Sequence, residues 1–164
     1  ARDALAAHSG LTFIAYGDMP FWSESTLEGM IDLQSLTGVV LVIASAEVGP
    51  DYAYGRIVRD KEGRLVKIVE EKDCTKKQLK IKETNGGLYL VDNTWLFEAL
   101  IKIGNQNAKN EYYLTDLISI AVEGERGVEA YQVQNPKEAI GVNDEKNIKA
   151  AEDALNEFGL SSDE

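Results

Sequence analysis

The chain has one cysteine, one histidine and three prolines in 164 residues. A single thiol, Cys74, excludes an internal disulfide framework and fits a reducing compartment. With one imidazole, His8, and one thiol, a structural zinc site and histidine-driven nucleophilic catalysis both lack their parts. No apolar run approaches the ~18 residues of a membrane span, and no secretory signal is visible. These absences set the expectation of a cytoplasmic protein that engages no membrane. Basic residues are scarce too. Against 28 Asp and Glu stand 17 Lys and Arg, a formal net charge of −11, which argues against nucleic acid or an anionic bilayer as partner. A small anionic substrate stays open, because a few local donors outweigh a distant field. With 44% hydrophobic residues the composition is that of a folded globular chain, long enough for one domain with a real core.

What is present is an alternation of short apolar runs and helical periods. Residues 1–8 read as the latter part of a helix stopped at Ser9-Gly10, with no lead-in, so the sequence is expected to continue upstream. Leu11 to Tyr16 reads as a buried strand ending at Gly17-Asp18. Ser25 and Glu28 have capping-box spacing for a helix carrying Leu27, Met30 and Ile31 and closed at Gly38. Val39 to Ala44 is too short and too β-branched for anything but a buried strand. Residues 54–71 carry the pattern of an antiparallel hairpin, and Gly87 to Val91 that of a third apolar strand. Asn93 is placed to cap a helix ending at Gly104, and Thr115 or Asp116 to start one ending before Gly124. A short strand, Val128 to Val133, follows. Asp144 is placed to begin a last helix over Ile148, Ala151, Leu155 and Phe158. Such alternation predicts an α/β sandwich with a mixed sheet: one domain over residues 1–160, with a frayed tail at 161–164.

The most informative stretch is residues 11–20. A strand ending in Gly17-Asp18 puts a carboxylate where open α/β sheets hold ligands, outside a strand's carboxyl end. Pro20 keeps the strand from continuing. Taken alone, Asp18 reads first as a turn or helix-cap residue, and Asn143-Asp144 as a helix cap. The run Glu70-Glu71-Lys72-Asp73 alone reads as a solvated face, and Tyr112-Tyr113 as core or pocket. No Walker-type loop and no G-x-G-x-x-G occurs.

Several segments then follow in order. They are Tyr54-Gly55-Arg56-Ile57-Val58-Arg59-Asp60, Ile68-Val69-Glu70-Glu71-Lys72-Asp73-Cys74-Thr75, Glu83-Thr84-Asn85-Gly86-Gly87-Leu88-Tyr89, residues 107–116 with Glu111-Tyr112-Tyr113-Leu114-Thr115-Asp116, and Gly141-Val142-Asn143-Asp144. Together with Asp18 they resemble the uridyltransferase domain of the bacterial bifunctional enzymes that make UDP-N-acetylglucosamine, among the sugar-phosphate nucleotidyltransferases. The resemblance covers nearly the whole chain from about Leu11. It implies a Rossmann-like, glycosyltransferase-A-like α/β sandwich with a mixed sheet, incomplete at the N-terminus. It also implies a Mg²⁺-dependent transfer of a uridylyl group from UTP to N-acetylglucosamine 1-phosphate, releasing pyrophosphate and supplying cell-wall and lipopolysaccharide precursors. Such chemistry needs in-line positioning and neutralised phosphate charge more than covalent help.

By the same resemblance Asp18 and Asn143 match the two protein ligands of the metal, both hard oxygen donors of the kind Mg²⁺ prefers. Gly55, Glu70 and Asn85 match the sugar pocket. Gly55 lets backbone approach the sugar, Glu70 accepts from hydroxyls, and Asn85 offers both donor and acceptor. Tyr16 and Gly17 match positions lining that pocket, joined by Tyr113 and Thr115. The chain departs from the family at Ala53 and Asn110, where Gly is usual, and at Cys74, read as an inert thiol. The family's Gly-rich basic nucleotide loop has no counterpart in these residues. The expectation is therefore a sugar and metal half-site, inactive alone, with an exposed sheet edge open to self-association. The alternatives are a non-catalytic module binding sugar nucleotide or a partner chain, and another nucleotidyltransferase such as a thymidylyltransferase. No hexapeptide repeat of an acetyltransferase occurs.

Overall fold

The computed structural model describes residues 2–5, 8–48, 53–142 and 148–149. A short helix α1 (Arg2–Leu5) leads into strand β1 (Leu11–Ala15), helix α2 (Glu24–Thr37) and strand β2 (Leu41–Glu47). The hairpin β3 (Arg56–Arg59) and β4 (Leu65–Val69) follows, then the long strand β5 (Glu83–Asp92). Helices α3 (Asn93–Leu100) and α4 (Asp116–Glu123) precede the last strand, β6 (Val128–Gln132).

Strand β5 is the spine of the sheet. On one side it pairs antiparallel with β2; on the other its C-terminal half pairs with β1 (Ala15 opposite Leu88) and its N-terminal half meets β3 (Arg56 opposite Thr84). The hairpin closes one end in the order β4-β3-β5-β2-β6, and β6 runs parallel to β2. The sheet is mixed, as the sequence pattern predicts. Its period-2 alternation sends residues to two cores. Leu41, Ile43, Tyr89 and Val91 pack with Trp95, Leu96 and Ala99 of α3 and Leu117, Ile118 and Ala121 of α4. On the opposite face Val42, Ala44, Leu88 and Leu90 pack with Met30 of α2. Helices thus cover both faces, which is why β2 opens on the continuous apolar run Leu41-Val42-Ile43-Ala44. No helix among the described residues is long and apolar enough to cross a membrane.

Some local expectations are corrected. Strand β1 is not buried: Leu11 and Phe13 remain 39% and 37% exposed, because β1 pairs only with β5 among the described strands. Helix α2 is capped at Ser23, two residues before the expected cap. Ser23 Oγ accepts from the Thr26 N–H at 3.2 Å and donates to buried Glu138 at 3.0 Å, a second anchor that Ser25 lacks. Asp92, not Asn93, caps α3, its Oδ1 accepting from the Trp95 N–H at 2.9 Å. Asn93 is the first helical residue, and its amide instead ties α1 to α3 by donating to the Leu5 and His8 carbonyls. That helix ends at Leu100 rather than at Gly104. The helix expected from Asp144 lies outside the described residues.

Candidate active site

Strand β1 ends where β5 bulges. Between Ile43 and Ser45 the β2–β5 register shifts, Ile43 facing Tyr89 but Ser45 facing Asn85, so β5 accommodates extra residues at Gly86-Gly87. Gly87 sits at φ +76°, and a Cβ there would lie 2.5 Å from Met19 Sδ and 2.8 Å from the Tyr16 ring. Only glycine meets both demands. Its carbonyl accepts from the Tyr16 N–H at 3.0 Å, which fixes the chain just past the end of β1.

From there Gly17 and Asp18 form the centre of a turn closed by the Met19 N–H on the Tyr16 carbonyl at 3.1 Å. The turn reading of Asp18 is therefore right. The half-buried carboxylate takes no hydrogen bond from the described residues, while the main-chain oxygen accepts from the Val142 N–H at 2.8 Å. The chain thus passes beside Asp18 at Val142. Asn143, the other expected metal ligand, lies outside the described residues. No three His, Cys, Asp or Glu groups cluster as a metal cage among the described residues. A hard carboxylate at a strand end, taking no hydrogen bond from the described residues, does fit one ligand of a Mg²⁺ that keeps its water and phosphate oxygens.

The sugar-pocket candidates gather around the start of β5. The Asn85 N–H donates to the Gly55 carbonyl at 2.9 Å, so β5 and the entry to β3 are locked together. A Cβ on Gly55 would lie 2.7 Å from Ile68 Cγ2 and 3.5 Å from Glu70 Oε1. Gly55 therefore brings backbone against the Glu70 carboxylate. Glu70 follows β4 directly, and its Oε1 accepts from Thr115 Oγ1 at 2.9 Å. Thr115 is 2% exposed, and its hydroxyl positions Glu70 rather than capping α4. Around Glu70 lies a recess of about 220 Å³, lined also by Asp73, Asn107, Tyr113 and Thr115. Tyr113 is thus a pocket residue. Glu71, read as solvated, is half-buried and lines a smaller recess of about 120 Å³ beside Glu70. Asp116, on the wall of the larger recess, has its carboxyl pushed up by burial and by neighbouring Asp73.

One residue of this site was not anticipated from sequence. Tyr89 is fully buried, and its hydroxyl accepts from Asn85 Nδ2 at 2.7 Å and meets the Tyr16 hydroxyl at 3.2 Å. Burial above all, then Tyr16, raises its pKa well beyond the tyrosine range. Tyr16 is raised as well, first by burial, with Glu70 and Asp18 adding to it. Both phenols stay neutral near pH 7. The available signal was spacing: Asn85 and Tyr89 are four apart on one strand and share a face of the sheet. Two departures from the family pattern also resolve. Asn110 takes φ +55°, a left-handed conformation that Asn tolerates. Cys74 hydrogen-bonds the Val69 carbonyl at 3.4 Å, and burial raises its thiol pKa, as suits an inert group.

The chain is 40% identical over 151 residues to the bifunctional protein GlmU of Geobacter metallireducens, covering 92% of this chain and 32% of that protein. The chain is homologous to one stretch of the GlmU proteins. The GlmU of Streptococcus thermophilus is 41% identical over 155 residues, covering 94% of this chain and 34% of its own length. For the GlmU of Desulfotalea psychrophila the values are 37% over 155 residues, 94% and 46%. The chain therefore spans less than half the length of these GlmU relatives. No protein-family model matches it. Among solved structures, UDP-glucose pyrophosphorylase complexed with UDP-glucose superposes with a TM-score of 0.62 at 21% identity, over 90% of this chain and 54% of that one. The chain thus shares the Rossmann-like mixed-sheet fold of that structure, and the resemblance to the bifunctional GlmU proteins holds.

Proposed function

We propose that this chain carries the sugar and metal side of a site that transfers a uridylyl group from UTP to N-acetylglucosamine 1-phosphate. An oxygen of the sugar phosphate forms a bond to the α-phosphorus of UTP, and the bond to the β-phosphate oxygen breaks, releasing pyrophosphate. The observation that carries the reading is the convergence on Asn85. Its backbone locks to Gly55, its amide is tied through Tyr89 to Tyr16, and Gly55 in turn faces Glu70.

In this reading Glu70 accepts from sugar hydroxyls, held in place by Thr115. Asn85 recognises an amide or hydroxyl oxygen, and the Gly55 backbone forms the floor. Asp18 and Asn143 hold Mg²⁺, which when bound offsets the charge gathering on the phosphates. Tyr16 and Gly17 set the direction of Asp18 by closing the turn that carries it. Fixed donors and carboxylates of this kind accelerate transfer by positioning and by charge stabilisation.

The 164 residues contain no Gly-rich basic loop for a triphosphate. The expected result is therefore binding of the sugar phosphate without turnover by this chain alone. Calorimetric titration with N-acetylglucosamine 1-phosphate, with and without Mg²⁺, checks the first half, and a pyrophosphate-release assay with UTP the second. Metal-dependent binding that is lost in Asn85→Ala supports the reading. Binding indifferent to metal and to Asn85 favours a plain sugar-nucleotide-binding module instead, and rapid pyrophosphate release by the 164 residues refutes the half-site.

A further inference from the structure

The hydrogen bonds around Tyr89 have a definite direction, and it can be worked out by elimination. The Gly87 N–H can only donate, so the oxygen it meets at 3.0 Å is Asn85 Oδ1. The other end of that amide, Nδ2, therefore points at Tyr89 Oη, 2.7 Å away, and donates to it. Tyr89 is fully buried, so its own hydrogen needs an acceptor within the protein. The amide nitrogen cannot accept. The Tyr16 hydroxyl at 3.2 Å is the acceptor among its described neighbours. Tyr16 then has its oxygen occupied by Tyr89 and by the hydrogen bond that the Asn85 side chain also makes to it, and its own O–H is directed away from Tyr89.

We propose that Tyr89 is a positioning residue that sets the polarity of this relay, so that Tyr16 presents a donor to the ligand. The relay runs from Asn85 N–H to Tyr89 and from Tyr89 O–H to Tyr16. The inference rests on the reading that Asn85 and Tyr16 face the sugar. It adds a chemical preference to that reading: the ligand group seated here is an acceptor, such as an amide carbonyl, and an ammonium at the same place is rejected. The ring contact between the two tyrosines, centroids 5.9 Å apart and tilted by 41°, holds the hydroxyls in register.

Removing one hydroxyl while keeping the ring isolates the relay. In the 164-residue chain, side-chain NMR of Asn85 is expected to show the Nδ2 proton that meets Tyr89 protected from hydrogen exchange, and Tyr89→Phe to abolish that protection. Titration with N-acetylglucosamine 1-phosphate and glucosamine 1-phosphate supplies the second readout. The preference for the acetylated ligand is expected to fall about tenfold in Tyr89→Phe and in Tyr16→Phe, the worth of one oriented hydrogen bond. A purely structural role weakens both ligands equally and leaves the preference intact, which overturns the proposal. So does unchanged exchange of the Asn85 amide. Should Asn85→Ala leave sugar-phosphate binding untouched, the sugar site itself is misplaced and the inference falls with it. If Asn85→Ala weakens binding while Tyr89→Phe leaves the preference as it was, the relay alone is wrong.

Discussion

At the scale of single residues, the site depends on glycines placed where a side chain cannot go. Gly87 combines a positive φ with two contacts under 3 Å for a Cβ, one to Met19 and one to Tyr16. Gly87→Ala is expected to cost about 1–3 kcal/mol of folding stability, from overpacking and backbone strain together. It is also expected to displace Tyr16, because the Gly87 carbonyl holds the Tyr16 N–H. Urea denaturation checks the first, and loss of sugar-phosphate binding the second; a variant as stable as the parent contradicts the packing argument. Gly55 and Asn85 were legible in the sequence because their motifs carry them. Tyr89 was not. In a run of Leu88-Tyr89-Leu90-Val91 a tyrosine reads as one more apolar strand residue, and only the register of β5 against β1 brings its hydroxyl to Tyr16.

At the scale of elements, three strands are joined at the far edge of the site by one polar cluster. Glu83 of β5 accepts from Ser45 of β2 at 2.8 Å and from Arg59 of β3 at 2.8 and 2.7 Å. Burial pushes the Glu83 carboxyl up, but the hydrogen bonds of Arg59 and Ser45 and the Arg59 charge outweigh it and hold it below its ordinary value. A carboxylate depressed in the folded state stabilises fully above its unfolded pKa, near ~4.3. That contribution is lost as pH falls through the lower folded value. Thermal melts between neutral and acid pH are therefore expected to decline less steeply in Glu83→Gln than in the parent. Identical acid slopes refute a role for the cluster. Element boundaries show where the pattern ran out. Ser25-Glu28 offered good capping spacing, yet Ser23 won because its hydroxyl and N–H also engage Glu138, 115 residues away. A contact that distant leaves no trace in a local window. The mixed sheet and both helical layers were readable because alternation and helical period are local.

At the scale of the whole molecule, β1 decides both the site and a liability. It delivers Asp18 to the end of the sheet, but among the described strands only β5 pairs with it. Leu11 and Phe13 stay more than a third exposed. An edge of this kind invites pairing with a second copy. Concentration-dependent association of this chain is the expected result in sedimentation velocity, reduced by Phe13→Lys, which places a charge on the edge. A monomer at all concentrations argues against it. The exposure of β1 was not legible from Leu11 to Tyr16, because how many neighbours a strand has is set by the sheet and not by its own residues.

The central claim is that the end of β1, the start of β5 and Glu70 form one sugar-phosphate site. Backbone NMR of this chain titrated with N-acetylglucosamine 1-phosphate and Mg²⁺ tests it most directly. Shifts are expected to concentrate at Tyr16, Gly17, Asp18, Gly55, Glu70 and Asn85, with those at Gly17 and Asp18 disappearing when Mg²⁺ is withheld. Shifts centred elsewhere on the sheet, or none at saturating ligand, contradict it.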